Sequence, residues 1–178
     1  SLGGKAKGLA FINETLKSEI NPSDYPGIEI GIPKMVVILS DVFDSFMQQN
    51  NLYDIAFSDA PDNKIALAFQ KADLPFKIPG ILRTFIAKIH SPLAIRSSSI
   101  LEDALREPFA GIYGTKMIPN NQADTDTRFI KLIEAIKFVY ASTYFRAAKD
   151  YVKATKHQTS DEKMAVIIQE VVGDRRNN

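Results

Sequence analysis

The chain is expected to fold as stacked layers of α and β structure, and three stretches lead to that expectation. Met35-Val36-Val37-Ile38-Leu39 is a short, branched, apolar run of strand length, and Met164 to Val172 is a second. Between them, Ile81, Leu82, Phe85, Ile86 and Ile89 recur at helical spacing. Helices and strands that each bury one face against the other build mixed layers. Alternation alone leaves both a parallel and an antiparallel sheet open.

The 178 residues suffice for one domain with a real core. A 45% hydrophobic and 24% charged composition is ordinary for a soluble globular chain. A net charge of +1 argues against a broad nucleic-acid surface, which is normally strongly basic. There is no cysteine, so neither a disulfide scaffold nor a thiolate metal site is available. Only His90 and His157 could supply imidazole, which makes a multi-histidine metal centre a poor reading. No apolar run approaches membrane-spanning length and no signal-peptide pattern opens the chain. A cytoplasmic protein with no membrane and no nucleic-acid partner is therefore expected. Both ends look cut, so residues 1–178 are read as a partial domain of a larger protein.

In chain order, Leu9, Ile12 and Leu16 predict a helix from about Lys5 to Lys17, with Gly3 and Gly4 just before it. A helix N-terminus carries unpaired N–H groups and partial positive charge, both favourable to phosphate. Lys5 in the first turn is unfavourable unless an anion offsets it, although the residues alone also permit a solvated lysine. Asn21 to Ile32, with Pro22, Pro26, Gly27 and Gly31, reads as a loop into the Met35–Leu39 strand. Ser40 is a good N-cap for a helix over about Asp41 to Gln49, with Val42, Phe43 and Phe46 inward. Ile65, Leu67, Ala68 and Ala72 suggest a further helix, and Pro79 and Gly80 open the next. His90 reads as structural. A strand over Leu93-Ala94-Ile95 then ends near Arg96, and Lys116-Met117-Ile118 forms another, stopped by Pro119. One long helix is expected from Asp124 to Lys156, its stripe made by Ile133, Ile136, Tyr140, Thr143 and Ala147 and widened by Phe129 and Leu132. Lys149, Lys153, Lys156 and His157 gather at its end, a solvated helix terminus or a partner surface. Gln158 to Lys163 is a polar turn before the final strand.

The chemistry concentrates between Ser91 and Thr115. Arg96 is followed by three serines, the acidic pair Glu102 and Asp103, Pro108-Phe109-Ala110-Gly111, Gly114 and Thr115. A guanidinium forks onto phosphate oxygens, and glycines let backbone N–H groups approach an anion. The bland alternative is an arginine paired with Glu102 or Asp103 to pin the loop.

The spacing Arg96-Ser97-Ser98, Glu102-Asp103, Phe109-Ala110-Gly111, Thr115 resembles the ATP-binding segment of the phosphoenolpyruvate synthase and pyruvate phosphate dikinase family. Gly3-Gly4-Lys5 resembles its opening motif, and Gln169-Glu170-Val171-Val172 its strand-end hinge. The resemblance thus covers nearly the whole chain. It implies the N-terminal portion of an ATP-grasp-like nucleotide-binding domain, α+β in class, with a mixed or antiparallel sheet flanked by helices. It implies ATP as ligand, with Lys5 and Arg96 at the phosphates in catalytic roles and Gly111, Gly114 and Thr115 lining that site. Gln169, Glu170, Val171 and Val172 would hold the adenine, where a plain core strand is the alternative reading. No metal ligand is assigned within the chain. Mg2+ is expected on a later acidic segment, and a phosphohistidine domain and a pyruvate-binding domain are expected downstream. Ile112-Tyr113 stands where the family has polar residues, which keeps a nucleotide-sensing or interaction domain as an alternative. A related phosphotransferase acting on another acceptor, such as an antibiotic, is a second.

Overall fold

The computed structural model describes residues 3–99, 111–154 and 164–173. Helix α1 spans Gly4–Glu19, and strand β1, Met35–Ile38, follows a loop containing one 3-10 turn at Pro22–Asp24. Four helices come next: α2 Ser40–Gln49, α3 Tyr53–Phe57, α4 Asp62–Lys71 and α5 Lys77–Lys88. Strand β2 is Leu93–Ser99 and β3 is Thr115–Ile118. Helices α6, Thr125–Ser142, and α7, Arg146–Ala154, lead to β4, Met164–Glu170.

The sheet order is β1-β4-β2-β3, and every pairing is antiparallel. The last strand is therefore central, inserted between β1 and β2. Successive strand residues point to opposite faces. One face carries Leu93, Ile95, Val166, Ile168, Ile38 and Ile118, all buried in the hydrophobic core. Helices α2 and α6 cover this face, and their aromatic rings meet: Tyr140 lies 4.9 Å from Phe43 and 5.3 Å from Phe46 between ring centroids. Offset and tilted ring pairs of this kind add to the area they bury.

Several expectations need correction. Arg96 is the middle of a seven-residue strand, not the end of a short one, because Ser97, Ser98 and Ser99 continue pairing with Val166, Ala165 and Met164. Ser40 is the first helical residue of α2 and not its cap; the cap position falls on Leu39, whose ψ of 159° is extended. A short helix, α3, occupies the stretch after Asn50, where no periodicity marks one. The expected long helix is broken at residues 143–145, where Tyr144 N–H bonds Ala141 O at 2.9 Å and tightens the turn. The break lets Tyr144 enter the aromatic cluster, 5.3 Å from Phe57, and Asp62 Oδ1 accepts the Arg146 N–H at 2.8 Å to start α7. Of the predicted stripe, Leu132, Ile136, Tyr140 and Thr143 are buried and Phe129 and Ile133 pack half-buried against the core, with Ala135 and Val139 buried beside them, but Ala147 is exposed. Asp124 does start the helix as expected, its carboxylate accepting from the Asp126 and Thr127 N–H groups. Glu102, Asp103, Pro108-Phe109-Ala110, Lys156, His157 and the polar turn Gln158 to Lys163 lie outside the described residues.

Helix α1 is anchored at one end only. Its buried residues are Gly4 and Ala6, whereas Phe11 and Ile12 are exposed. Tyr25, Ile28 and Ile30 in the following loop are exposed too.

Candidate functional site

The second face of the sheet carries Arg96. By strand alternation, Ala94 and Ser98 share this face, and the register sets Thr115 and Ile167 directly across from Arg96. Gln169 pairs with Ala94 on β2 and with Met35 on β1, two residues along from Ile167. Ala165 and Ile167 beneath are fully buried, so the polar side chains stand on an apolar floor. Arg96 itself is half-buried. Among the described residues no carboxylate pairs with it.

The start of α1 docks against the far end of β2. Gly3 takes φ 66°, and a Cβ placed there would lie 2.0 Å from the Ser98 carbonyl oxygen. Only glycine permits both that backbone angle and that approach. The Ser98 hydroxyl then accepts the Ala6 N–H at 3.1 Å, a helix cap supplied from 92 residues away. Lys5 Nζ donates to the Ser97 carbonyl at 3.3 Å. The opening glycine-lysine motif is thus brought to the Arg96-Ser97-Ser98 motif by direct contacts. Two cations and a helix N-terminus converge at one sheet face, an arrangement suited to a polyphosphate.

The remaining predicted residues divide. Thr115 stands opposite Arg96. Gly111 sits at φ 81° in an exposed turn, at the margin of the described residues. Gly114 faces α6: its N–H donates to Ser142 Oγ at 2.8 Å, and an added Cβ would lie 3.0 Å from Phe138 Cε1. Tyr113 beside it is buried in the core, with Ile112 packed against that core. At the end of β4, Val171 and Val172 are exposed, and the Val171 N–H donates to Pro92 O at 2.8 Å. Glu170 points to the face opposite Gln169, where its carboxylate accepts from the Ser91 hydroxyl at 2.6 Å.

Sequence reasoning misses Ser98 as a helix cap, Ser142 as the partner of Gly114, and Ser91. The triple serine is the one available signal for the first. The other two have none, because their partners lie 28 and 79 residues away.

The family model described as pyruvate phosphate dikinase, AMP/ATP-binding domain, matches residues 1–177. A comparison with curated proteins gave no match.

Proposed function

The chain belongs to the pyruvate phosphate dikinase AMP/ATP-binding domain family, and from that premise we propose that it is the ATP-binding part of a phosphotransferase of the phosphoenolpyruvate synthase or pyruvate phosphate dikinase type. In that reading the parent protein uses ATP to phosphorylate a histidine on a mobile domain, which passes phosphate to pyruvate. One observation carries it: Lys5 reaches the Ser97 carbonyl, beside Arg96, across 92 residues of sequence. Lys5 and Arg96 hold the phosphates, with Thr115 across the strand from Arg96. Gly111 and Gly114 shape the loop that borders them. Gln169 and the exposed Val171 and Val172 receive the adenine at the end of β4, apolar side chains covering the ring faces.

Magnesium supplies charge neutralisation to a transferring phosphoryl group when it is bound. Among the described residues no group of three or more His, Asp or Glu side chains is placed to hold a metal ion. The magnesium ligands are proposed, by the family resemblance, to lie on a later acidic segment of the protein. A cytoplasmic location is part of the same proposal; among the described residues no helix is long and apolar enough to cross a membrane.

A second reading, a nucleotide-sensing domain without catalysis, is favoured by Ile112 and Tyr113. The core takes up both side chains, so they are not displayed as the polar pair usual in the family.

Calorimetric titration of magnesium-ATP into the full-length protein and its Arg96→Ala variant tests the main reading. Loss of a charged phosphate contact should weaken binding by about 1.5 to 3 kcal/mol. Binding that ignores the substitution would remove Arg96 from the phosphates. Binding without phosphate transfer would favour the sensing domain.

A further inference from the structure

The turn that feeds β2 is held more tightly than a connection between a helix and a strand requires. Arg128, on α6, is buried, and its Nη1 donates to the carbonyls of Ile86 and Ile89, each at 2.8 Å. Its charge sits at the C-terminal end of α5, where the helix dipole favours a cation. Asn120 is also buried, at φ 51°, a region that asparagine tolerates better than most residues. Its Nδ2 donates to Ile89 O at 2.8 Å and to Ser91 O at 3.0 Å. Two buried side chains from one segment thus converge on residues 86–91.

The same turn meets the end of β4. The Ser91 hydroxyl donates to Glu170 Oε1 at 2.6 Å, and Pro92 O accepts the Val171 N–H at 2.8 Å. On the other side, the Glu170 N–H donates to Lys34 O at 2.9 Å. A continuous chain of polar contacts therefore runs from α6, through the turn, into the strand end assigned to the base. The Ser91–Glu170 bond is its only side-chain-to-side-chain link to β4 among the described residues, and a hydroxyl bonded to a carboxylate is a strong, directional contact.

We propose that Ser91 is a positioning residue for the nucleotide base: its carbonyl held by Asn120, in a turn that Arg128 secures at Ile86 and Ile89, it fixes Glu170 and with it the end of β4 on which the base seats. This rests on the ATP-binding reading above. Ser91 does not touch the phosphates, which lie with Arg96 and Lys5. Its effect is confined to the base, because edge recognition of a ring depends on where the strand end is held, whereas phosphate binding depends on the two cations.

The test compares magnesium-ATP with magnesium-tripolyphosphate, which has the phosphates and no base, in the full-length protein. Ser91→Ala should weaken ATP binding about tenfold, the equivalent of one hydrogen bond to a charged group. Tripolyphosphate affinity should stay unchanged, and Ser91→Thr should restore ATP binding by returning the hydroxyl. Unchanged ATP affinity in Ser91→Ala, or equal losses for both ligands, would overturn the positioning role. If the wild-type protein binds tripolyphosphate as tightly as ATP, there is no base seat and the proposal falls, while the phosphate site stands. If it binds neither, the ATP-binding reading itself fails.

Discussion

Replacing Gly3 by alanine should release α1 from the sheet while leaving the core folded. The new Cβ would lie 2.0 Å from Ser98 O and 2.6 Å from Ser98 C, both backbone atoms of a central strand that cannot step aside. To restore ordinary contact the helix start must withdraw by roughly 1 Å, which stretches its hydrogen bonds past working range. The Ala6–Ser98 and Lys5–Ser97 bonds, at 3.1 and 3.3 Å, would then be lost. Each contributes about 1 kcal/mol net, and alanine at φ 66° adds about 1 to 2 kcal/mol of strain. Against some 3 kcal/mol in all, α1 has little to hold it, since only Gly4 and Ala6 of its own residues are buried. A detached helix of this length is marginal in water. Amide hydrogen exchange should therefore show α1 losing protection while β2 and β4 keep theirs, and magnesium-ATP affinity should fall because Lys5 leaves with the helix. Gly8→Ala is the control: nothing lies within 4 Å of its added Cβ, so the change should leave the docking intact and raise helix propensity. Full α1 protection in Gly3→Ala would refute the docking geometry. Lost protection with unchanged ATP affinity would refute the role of Lys5.

Two further outcomes follow from the packing. Burial, and then the Asp41 carboxylate, pushes the Tyr140 phenol far above its ordinary value of 10.0, and among the described residues its hydroxyl has no hydrogen-bond partner. The unfolded chain ionises this tyrosine above pH 10 and the folded chain does not, so its contribution is full below that pH and stability declines above it. Tyr140→Phe should raise stability by about 1 kcal/mol at neutral pH and flatten the alkaline decline, as read from urea midpoints across pH 7 to 11. A lower midpoint at neutral pH would reveal a partner for the hydroxyl. Gly114→Ala should cost about 1 to 3 kcal/mol through crowding against Phe138 and Ser142, seen as a lower melting temperature. An affinity loss without that destabilisation would instead place Gly114 directly at the phosphates.

Local chemistry by itself determines much of this protein. The strands at Met35, Leu93, Lys116 and Met164, the stripe around Leu82 and Ile86, and the helix start at Asp124 are written in periodicity and residue type, which act over a few neighbouring positions. The motifs at Gly3-Gly4-Lys5, Arg96-Ser97-Ser98 and Gln169 to Val172 are legible for the same reason, and with them the family. Only the tertiary structure decides how they meet. Strand β4 enters the middle of the sheet, which puts Gln169 beside Ala94 and prolongs β2 past Arg96. Ser98 caps α1, Asp62 caps α7, and Ser91 holds Glu170, through pairs separated by 92, 84 and 79 residues. A hydrogen bond between such distant partners leaves no repeat or spacing in either segment, because each serine or aspartate serves equally well in a turn of its own. Which donor it meets is settled only when the sheet closes.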